Sequence, residues 1–285
     1  MPSGFETLRL DVNGYRFDAI ARGAADAPLV LFLHGWPSSA NCWREIMTAA
    51  ASAGFRAVAV DQRGYSPGAR PPEIADYSID RLLEDIEGFA QALGGDARFH
   101  LIGHDWGGLI AWPYAAHYPG RLASLCVLST PHSKAFVEAI KSDPEQQRMS
   151  AYIGIFRQPG HVAEQALLKD GARKLRAIYG GKCASSYVED NVARLSEPGV
   201  LTATLNWYRA LDNKLLGLPV ATPTLYIWGS EDQALGRAAA EATRKHVTGP
   251  YQFELLEGAS HWLPEEMPET IAGLLIAHLA KFPAL

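Results

Sequence analysis

Cysteine is scarce in this chain of 285 residues: only Cys42, Cys126 and Cys183 occur, an odd number without metal-ligand spacing. That excludes a disulfide scaffold and a cysteine zinc site, and it points to buried thiols in a reducing, cytoplasmic compartment. Long apolar runs are missing as well. The opening MPSGFETLRLDVNGYRFDAIARG has no hydrophobic stretch behind a basic flank, so no secretory signal is expected there. The C-terminal IAGLLIAHLAKF is too short for a membrane span and carries His278. No sign of charge dominates, since 26 Lys and Arg face 31 Asp and Glu for a net charge of −5. Without a basic stripe, nucleic acid is not an expected partner. Internal repeats and low-complexity tracts are absent too. What remains is 48% hydrophobic and 20% charged, which suits one large α/β domain or one domain carrying an inserted lobe. A homodimer is compatible with this composition.

The order of elements is readable. Two alternating runs, Leu8–Val12 and Tyr15–Ala21, flank Asn13-Gly14, a pair suited to the positive φ of a tight hairpin. Short apolar runs at Leu29–Leu33, Arg56–Val60, Phe99–Ile102 and Leu122–Leu128 predict buried strands. Helical stretches lie between them at Trp43–Ala53, Ile79–Leu93 and Trp106–His117. Strands separated by helices imply right-handed crossovers and a mostly parallel sheet flanked by helices on both faces. From about Pro131 to Leu218 the rhythm breaks into Ala, Leu, Lys, Arg and Glu interrupted by Pro and Gly. The expectation is a core of residues 1–131 and 218–285 with a helical cap at 132–217 inserted into it. Strands resume at Pro223–Trp228 and Gln252–Leu256, and a last helix starts near Pro268.

Chemistry concentrates at the ends of these strands. Gly103-His104-Asp105-Trp106-Gly107-Gly108 follows a buried strand and opens a helix, the setting of a strained nucleophile elbow. Serine is the usual central residue, and here it is Asp105. A carboxylate attacking an ester or amide carbonyl yields an anhydride and gains little. Attacking an sp³ carbon, it yields an ordinary ester that water can hydrolyse. The residue therefore favours an epoxide or alkyl halide and disfavours esterases and peptidases. His261, in Gly258-Ala-Ser-His261-Trp262, follows the last strand as the candidate base, and Asp232 follows the strand before it as the candidate acid. Glu231 competes with Asp232, whose spacing from the strand is better. The chain order nucleophile, acid, histidine is that of the α/β-hydrolase fold. In His34-Gly35-Trp36-Pro37 the backbone N–H of Trp36, joined by that of Trp106, can face an oxyanion on Asp105. Such a donor commonly supplies about 10²–10³ in rate. A tight turn there favours a cis Trp36-Pro37 bond. The loop Asp61-Gln62-Arg63-Gly64 is expected to be a structural turn closed by Arg and Asp at the rim, without chemistry.

With these residues in place, the chain resembles the α/β-hydrolase-fold epoxide hydrolases of the soluble type over nearly its whole length. HGWP at 34–37, DQRGY at 61–65, GHDWGG at 103–108, the Asp232 loop and SHW at 260–262 each find a counterpart. The family also carries two cap tyrosines that hold the epoxide oxygen. Tyr152, before Pro159-Gly160, and Tyr208, in Asn206-Trp207-Tyr208-Arg209, look like them. The chemistry asks for such a pair, because an alkoxide about as basic as hydroxide (pKa ~15.7) can take a proton from a phenol of pKa ~10. Ser66-Pro67 departs from the glycine common after the family's RGY, which suggests an altered rim loop and substrate access. The resemblance implies diol formation from a small apolar epoxide and water, with no metal or organic cofactor. His34, Trp36, Pro37, Trp106, Phe156, Trp207 and Trp262 are the expected walls of an apolar pocket. A haloalkane dehalogenase is the competing enzyme. However, one common dehalogenase arrangement places an acid after the strand ending near Leu128, where Ser129-Thr130-Pro131-His132 has none, and halide release leaves both tyrosines without a task. A fluoroacetate dehalogenase would want arginines where Trp106 and Leu109 stand. A non-catalytic ligand-binding member of the fold is the alternative from another class; loss of a triad residue would mark it, and none is lost.

Overall fold

The computed structural model describes residues 4–212 and 217–284, and residues 213–216 at the end of the expected insertion lie outside them. Eight strands form a single sheet: β1 (Glu6–Val12), β2 (Tyr15–Arg22), β3 (Leu29–Leu33), β4 (Arg56–Val60), β5 (Phe99–His104), β6 (Leu122–Leu128), β7 (Thr224–Gly229) and β8 (Tyr251–Leu256). Their order is β1-β2-β4-β3-β5-β6-β7-β8. The hairpin β1–β2 and the β2–β4 pair are antiparallel, and every later pair is parallel. Asn13 and Gly14 take the positive φ the hairpin requires, 52° and 81°.

The apolar runs are explained by burial on both faces. Along β3, Leu31 and Leu33 point to one side and Val30 and Phe32 to the other, following the period of two. The first side is covered by α2 (Ile79–Gly94) and α3 (Trp106–His117), with Leu82, Leu83, Ile86, Phe89 and Ile110 packed inward. The second is covered by α1 (Arg44–Ser52) and the C-terminal α12 (Pro268–Lys281), through Ile46, Met47, Leu275 and Leu279. Burying one such side chain stabilises the fold by about 1.5–3 kcal/mol.

Six helices intervene between β6 and β7: α4 (Ser133–Ser142), α5 (Pro144–Met149), α6 (Ala151–Phe156), α7 (Val162–Ala177), α8 (Ser185–Leu195) and α9 (Val200–Ala210). No strand lies among the described residues of that stretch. Helix α7 is broken inside by positive φ at Asp170, Gly171 and Ala172. The stretch is tied to the sheet side by Arg194 on Asp61 at 2.6 Å and by the Tyr179 O–H donating to the Pro37 carbonyl at 2.7 Å. After β7 come α10 (Arg237–Ala242) and, following β8, the short α11 (Leu263–Glu266). Among the described residues no helix is long and apolar enough to cross a membrane.

Two loop expectations need correction. Arg63 is not at a rim: it is buried and forms a bidentate pair with Asp85 of α2, both bonds at 2.7 Å. Asp61 instead accepts the Ala40 N–H and meets Arg194. A buried guanidinium needs a carboxylate that is also buried, and α2 supplies one. Ser66 does not stand at a substrate entrance either. It is buried, accepts the Asp18 N–H at 2.9 Å and donates to the Asp61 carbonyl, so it fastens the loop to β2.

Candidate active site

Asp105 sits between β5 and α3 at φ 52° and ψ −118°, in the left-handed region that side chains rarely enter. Three glycines make the turn fit. A Cβ on Gly103 would strike the Gly107 carbonyl, one on Gly107 the Leu33 carbonyl, and one on Gly35 the Asp105 side chain itself. The carboxylate is thereby aimed away from the sheet and held between two partners. Its Oδ1 accepts the Trp36 N–H at 2.7 Å, and Oδ2 lies 3.5 Å from His261 Nε2. The Trp36-Pro37 bond is cis, as expected.

His261 is fixed from both ends. Its Nδ1 meets Asp232 Oδ2 at 2.9 Å, while its backbone carbonyl lies 2.8 Å from His104 Nε2 and accepts the Ser129 hydroxyl at 2.9 Å. Asp232 is itself held by the Ala234 and Leu235 N–H groups, which donate to Oδ1 at 2.8 and 3.0 Å. Glu231 instead faces Lys182 at 3.8 Å, so of the two acids Asp232 is the one that meets His261. Burial alone would lower the His261 imidazole, but the charges of Asp232 and Asp105 and their hydrogen bonds outweigh it and push it up to about 10. Burial would likewise raise Asp105, and the imidazolium with the Trp36 N–H reverses this and holds it below the ordinary value. Both shifts favour the charged forms of the pair, an imidazolium and a carboxylate.

Tyr152 on α6 and Tyr208 on α9 line the same cavity as this pair, with their ring centroids 6.2 Å apart. Burial, reinforced by the nearby negative charges, raises both phenols, so both keep their protons. Tyr208 stands edge-on to Trp106 at 4.8 Å and to Phe156 at 5.1 Å. Two chambers adjoin here. One, of about 360 Å³, is lined by Trp36, Phe156, Tyr179, His261 and Trp262 among others. The other, of about 320 Å³, lies under α4 and is lined by Trp106, Leu109, Phe136, Val137 and Ile140 among others. Asp105, Tyr152 and Tyr208 line both.

The expected wall residues thus divide. Trp36, Trp106, Phe156 and Trp262 line a chamber, whereas His34, Pro37 and Trp207 line neither. His34 is fully buried behind the turn against Gln62, and Trp207 turns its indole N–H to the Arg63 carbonyl at 2.9 Å. Each satisfies a buried polar group and so faces away from the cavity. The second chamber was missed from sequence. Its signal was the spacing of Phe136, Val137 and Ile140 on one face of α4, without a motif to mark it.

A family model for the alpha/beta hydrolase fold matches residues 28–268. Epoxide hydrolase A of Mycobacterium tuberculosis is 31% identical over 97% of this chain and 98% of its own length. Epoxide hydrolase 3 of Xenopus tropicalis is 32% identical over 93% of this chain and 74% of its own. The chain belongs to the α/β-hydrolase-fold epoxide hydrolases. Structure agrees with sequence: the crystal structure of epoxide hydrolase A from Mycobacterium thermoresistibile superimposes with a TM-score of 0.87 over 99% of this chain and 100% of that one, at 29% identity. The Bacillus megaterium epoxide hydrolase crystallised with an inhibitor gives 0.86 over 96% and 100%, at 26% identity. The fold and family read from the motifs are therefore correct.

Proposed function

We propose that this enzyme hydrolyses epoxides to vicinal diols through a covalent ester on Asp105, and that residues 132–217 form the cap over that site. The observation that carries the reading is the placement of the Asp105 carboxylate. A backbone donor holds one oxygen, His261 faces the other, and two protonated phenols stand opposite. In the first half of the reaction an Asp105 oxygen attacks a ring carbon, the C–O bond breaks, and Tyr152 and Tyr208 deliver a proton to the leaving oxygen. Esterification removes one of the two negative charges that keep His261 protonated. Its proton can then return to the tyrosinate, leaving a neutral imidazole when a base is needed. In the second half His261 takes a proton from water and hydroxide adds to the ester carbonyl. The new oxyanion forms beside the Trp36 N–H, with the Trp106 N–H as second donor. Collapse expels the diol oxygen, which collects the carboxyl proton, and the imidazolium again faces a carboxylate.

Two adjoining chambers leave room for a substituent on each side of the ring, which suits epoxides substituted at both carbons. The decisive experiment uses His261→Gln. That variant should attack substrate and stop, gaining the mass of one epoxide on the peptide that contains Asp105. Halide release from bromoalkanes with epoxides untouched, or an adduct on another residue, would sink the assignment.

A further inference from the structure

Helix α5 carries a polar side chain that the steps above leave unused. Gln146 is completely buried. An amide so placed is costly unless its hydrogen-bonding groups are met, and here both ends are met. Its Oε1 accepts the Gly236 N–H at 2.7 Å, and its Nε2 donates to the Ala234 carbonyl at 3.0 Å and to Ser150 Oγ at 2.9 Å. The partners fix the orientation of the amide, because a backbone N–H can only donate and a carbonyl can only accept.

These partners belong to two different parts of the machinery. Ala234 and Gly236 lie in the loop that follows β7. Ala234 gives its carbonyl to Gln146 and its own N–H to Asp232 Oδ1, at 2.8 Å, so the loop hangs between the acid on one side and the amide on the other. Ser150 stands immediately before α6, two residues ahead of Tyr152. Its hydroxyl does not cap that helix and is engaged by Gln146 instead. Met149 and Tyr152 from one segment, and Gln233 and Ala234 from the other, line the first chamber. The segments that the amide joins therefore both face the substrate space.

We propose that Gln146 is a positioning residue for both halves of the reaction: its amide sets the Asp232 loop and the helix bearing Tyr152 at a fixed spacing. This rests on the ester mechanism above. Through Ala234 the amide steadies the acid that orients His261 for ester hydrolysis. Through Ser150 it steadies the start of α6, and with it the phenol that serves ring opening. Neither role requires Gln146 to touch substrate. A displacement of about 1 Å, made away from the chemistry, can cost about 10²-fold in rate.

Single-turnover kinetics with enzyme in excess separate ester formation from ester hydrolysis, and two substitutions separate the two links. Gln146→Met keeps the length of the side chain and removes its bonds to Ser150, Ala234 and Gly236. Both steps should then slow, by up to about 10²-fold. Ser150→Ala removes only a hydroxyl at a half-buried position. Ester formation should slow in that variant while ester hydrolysis keeps its native rate. Paired backgrounds distinguish positioning from support of the fold. In an Asp232→Ala protein, Gln146→Met should change ester hydrolysis by no more than about twofold. In a Tyr152→Phe protein, Ser150→Ala should leave ester formation equally unchanged. An amide that only supports the fold would cost the same factor with or without those partners, and that result overturns the proposal. So does a Ser150→Ala protein that forms ester at the native rate, which also decides the matter if Gln146→Met does not fold. His261→Gln is the control for the reaction itself. Ester trapped on Asp105 together with purely additive costs overturns the Gln146 role alone; no ester on Asp105 in any variant overturns the reaction on which it acts.

Discussion

On the ester mechanism proposed above, replacing Asp232 by Asn should arrest this enzyme halfway through its cycle, after the ester has formed. The Oδ1 position of residue 232 receives two backbone N–H groups, from Ala234 and Leu235 at 2.8 and 3.0 Å. An asparagine keeps those bonds only by placing its carbonyl oxygen there, which turns the NH₂ toward His261 Nδ1, 2.9 Å away in the native protein. A donor at that point forces the imidazole proton onto Nε2. Nε2 is the atom that faces Asp105 at 3.5 Å and must accept a proton from water. The variant thus has the wrong tautomer for hydrolysis, while attack by Asp105 needs no base. A wrong tautomer in a comparable triad costs about 10⁴ in turnover, and a loss of that order is expected in ester hydrolysis with ester formation retained. Asp232→Ala leaves the tautomer free and should hydrolyse its ester faster than the asparagine variant. Rapid-quench mass spectrometry of the Asp105 peptide reads both halves directly. Equal losses in both halves, or an alanine variant slower than the asparagine one, would refute the tautomer argument.

Other outcomes follow from the same geometry. Tyr152→Phe or Tyr208→Phe should each slow ester formation by about 10²-fold and the double change by about 10⁴, as general-acid catalysis supplies; an unimpaired double variant would make both rings packing only. With enzyme in excess in ¹⁸O-water, the first diol formed should be unlabelled and the label should appear in the Asp105 carboxylate; labelled diol in that first turnover would mean direct attack by water. The Glu265 carboxyl, raised by burial to about 7 from an ordinary 4.5, carries a stability term that is fully present below pH 4.5 and lost as pH rises through 7. That term is roughly 3 kcal/mol, so the melting temperature of Glu265→Gln should gain on the native protein between pH 5 and 8; parallel pH curves would count against it.

Much of this molecule was legible before its coordinates. Buried strands announce themselves because both faces are covered, and β3 to β7 are buried along their whole length and largely apolar for that reason. The elbow was legible because Gly103 and Gly107, two residues either side of Asp105, lie where a Cβ would strike a backbone carbonyl. Asp105, Asp232 and His261 follow strand ends, so locating the strands located them. Other features depend on partners distant in sequence and left no local mark. Arg63 looked like a surface turn residue, and only the packing of α2 brings Asp85 against it. His34 and Trp207 sit in motifs beside the site, but buried carbonyls and N–H groups claim their polar atoms and turn them away from the cavity. Glu265 and Glu266 stand side by side in no motif, and only the packing buries the carboxyl oxygens of the first while the second bonds Ser260.

The paired chambers have a consequence for handedness. In the mechanism proposed above, an epoxide carbon approaches Asp105 with its oxygen toward Tyr152 and Tyr208, so two contacts of the ring are fixed. Which substituent enters the Phe136 side and which the Phe156 side then decides the face presented and the carbon attacked. Mirror-image substrates can meet all of these demands only by exchanging arms. On that mechanism, selectivity between enantiomers becomes a comparison of two volumes, set by residues that touch no reacting atom. Moving bulk from one arm to the other, as in Ile140→Ala combined with Leu167→Phe, should shift the preferred mirror image while the machinery on Asp105 and His261 stays as it is.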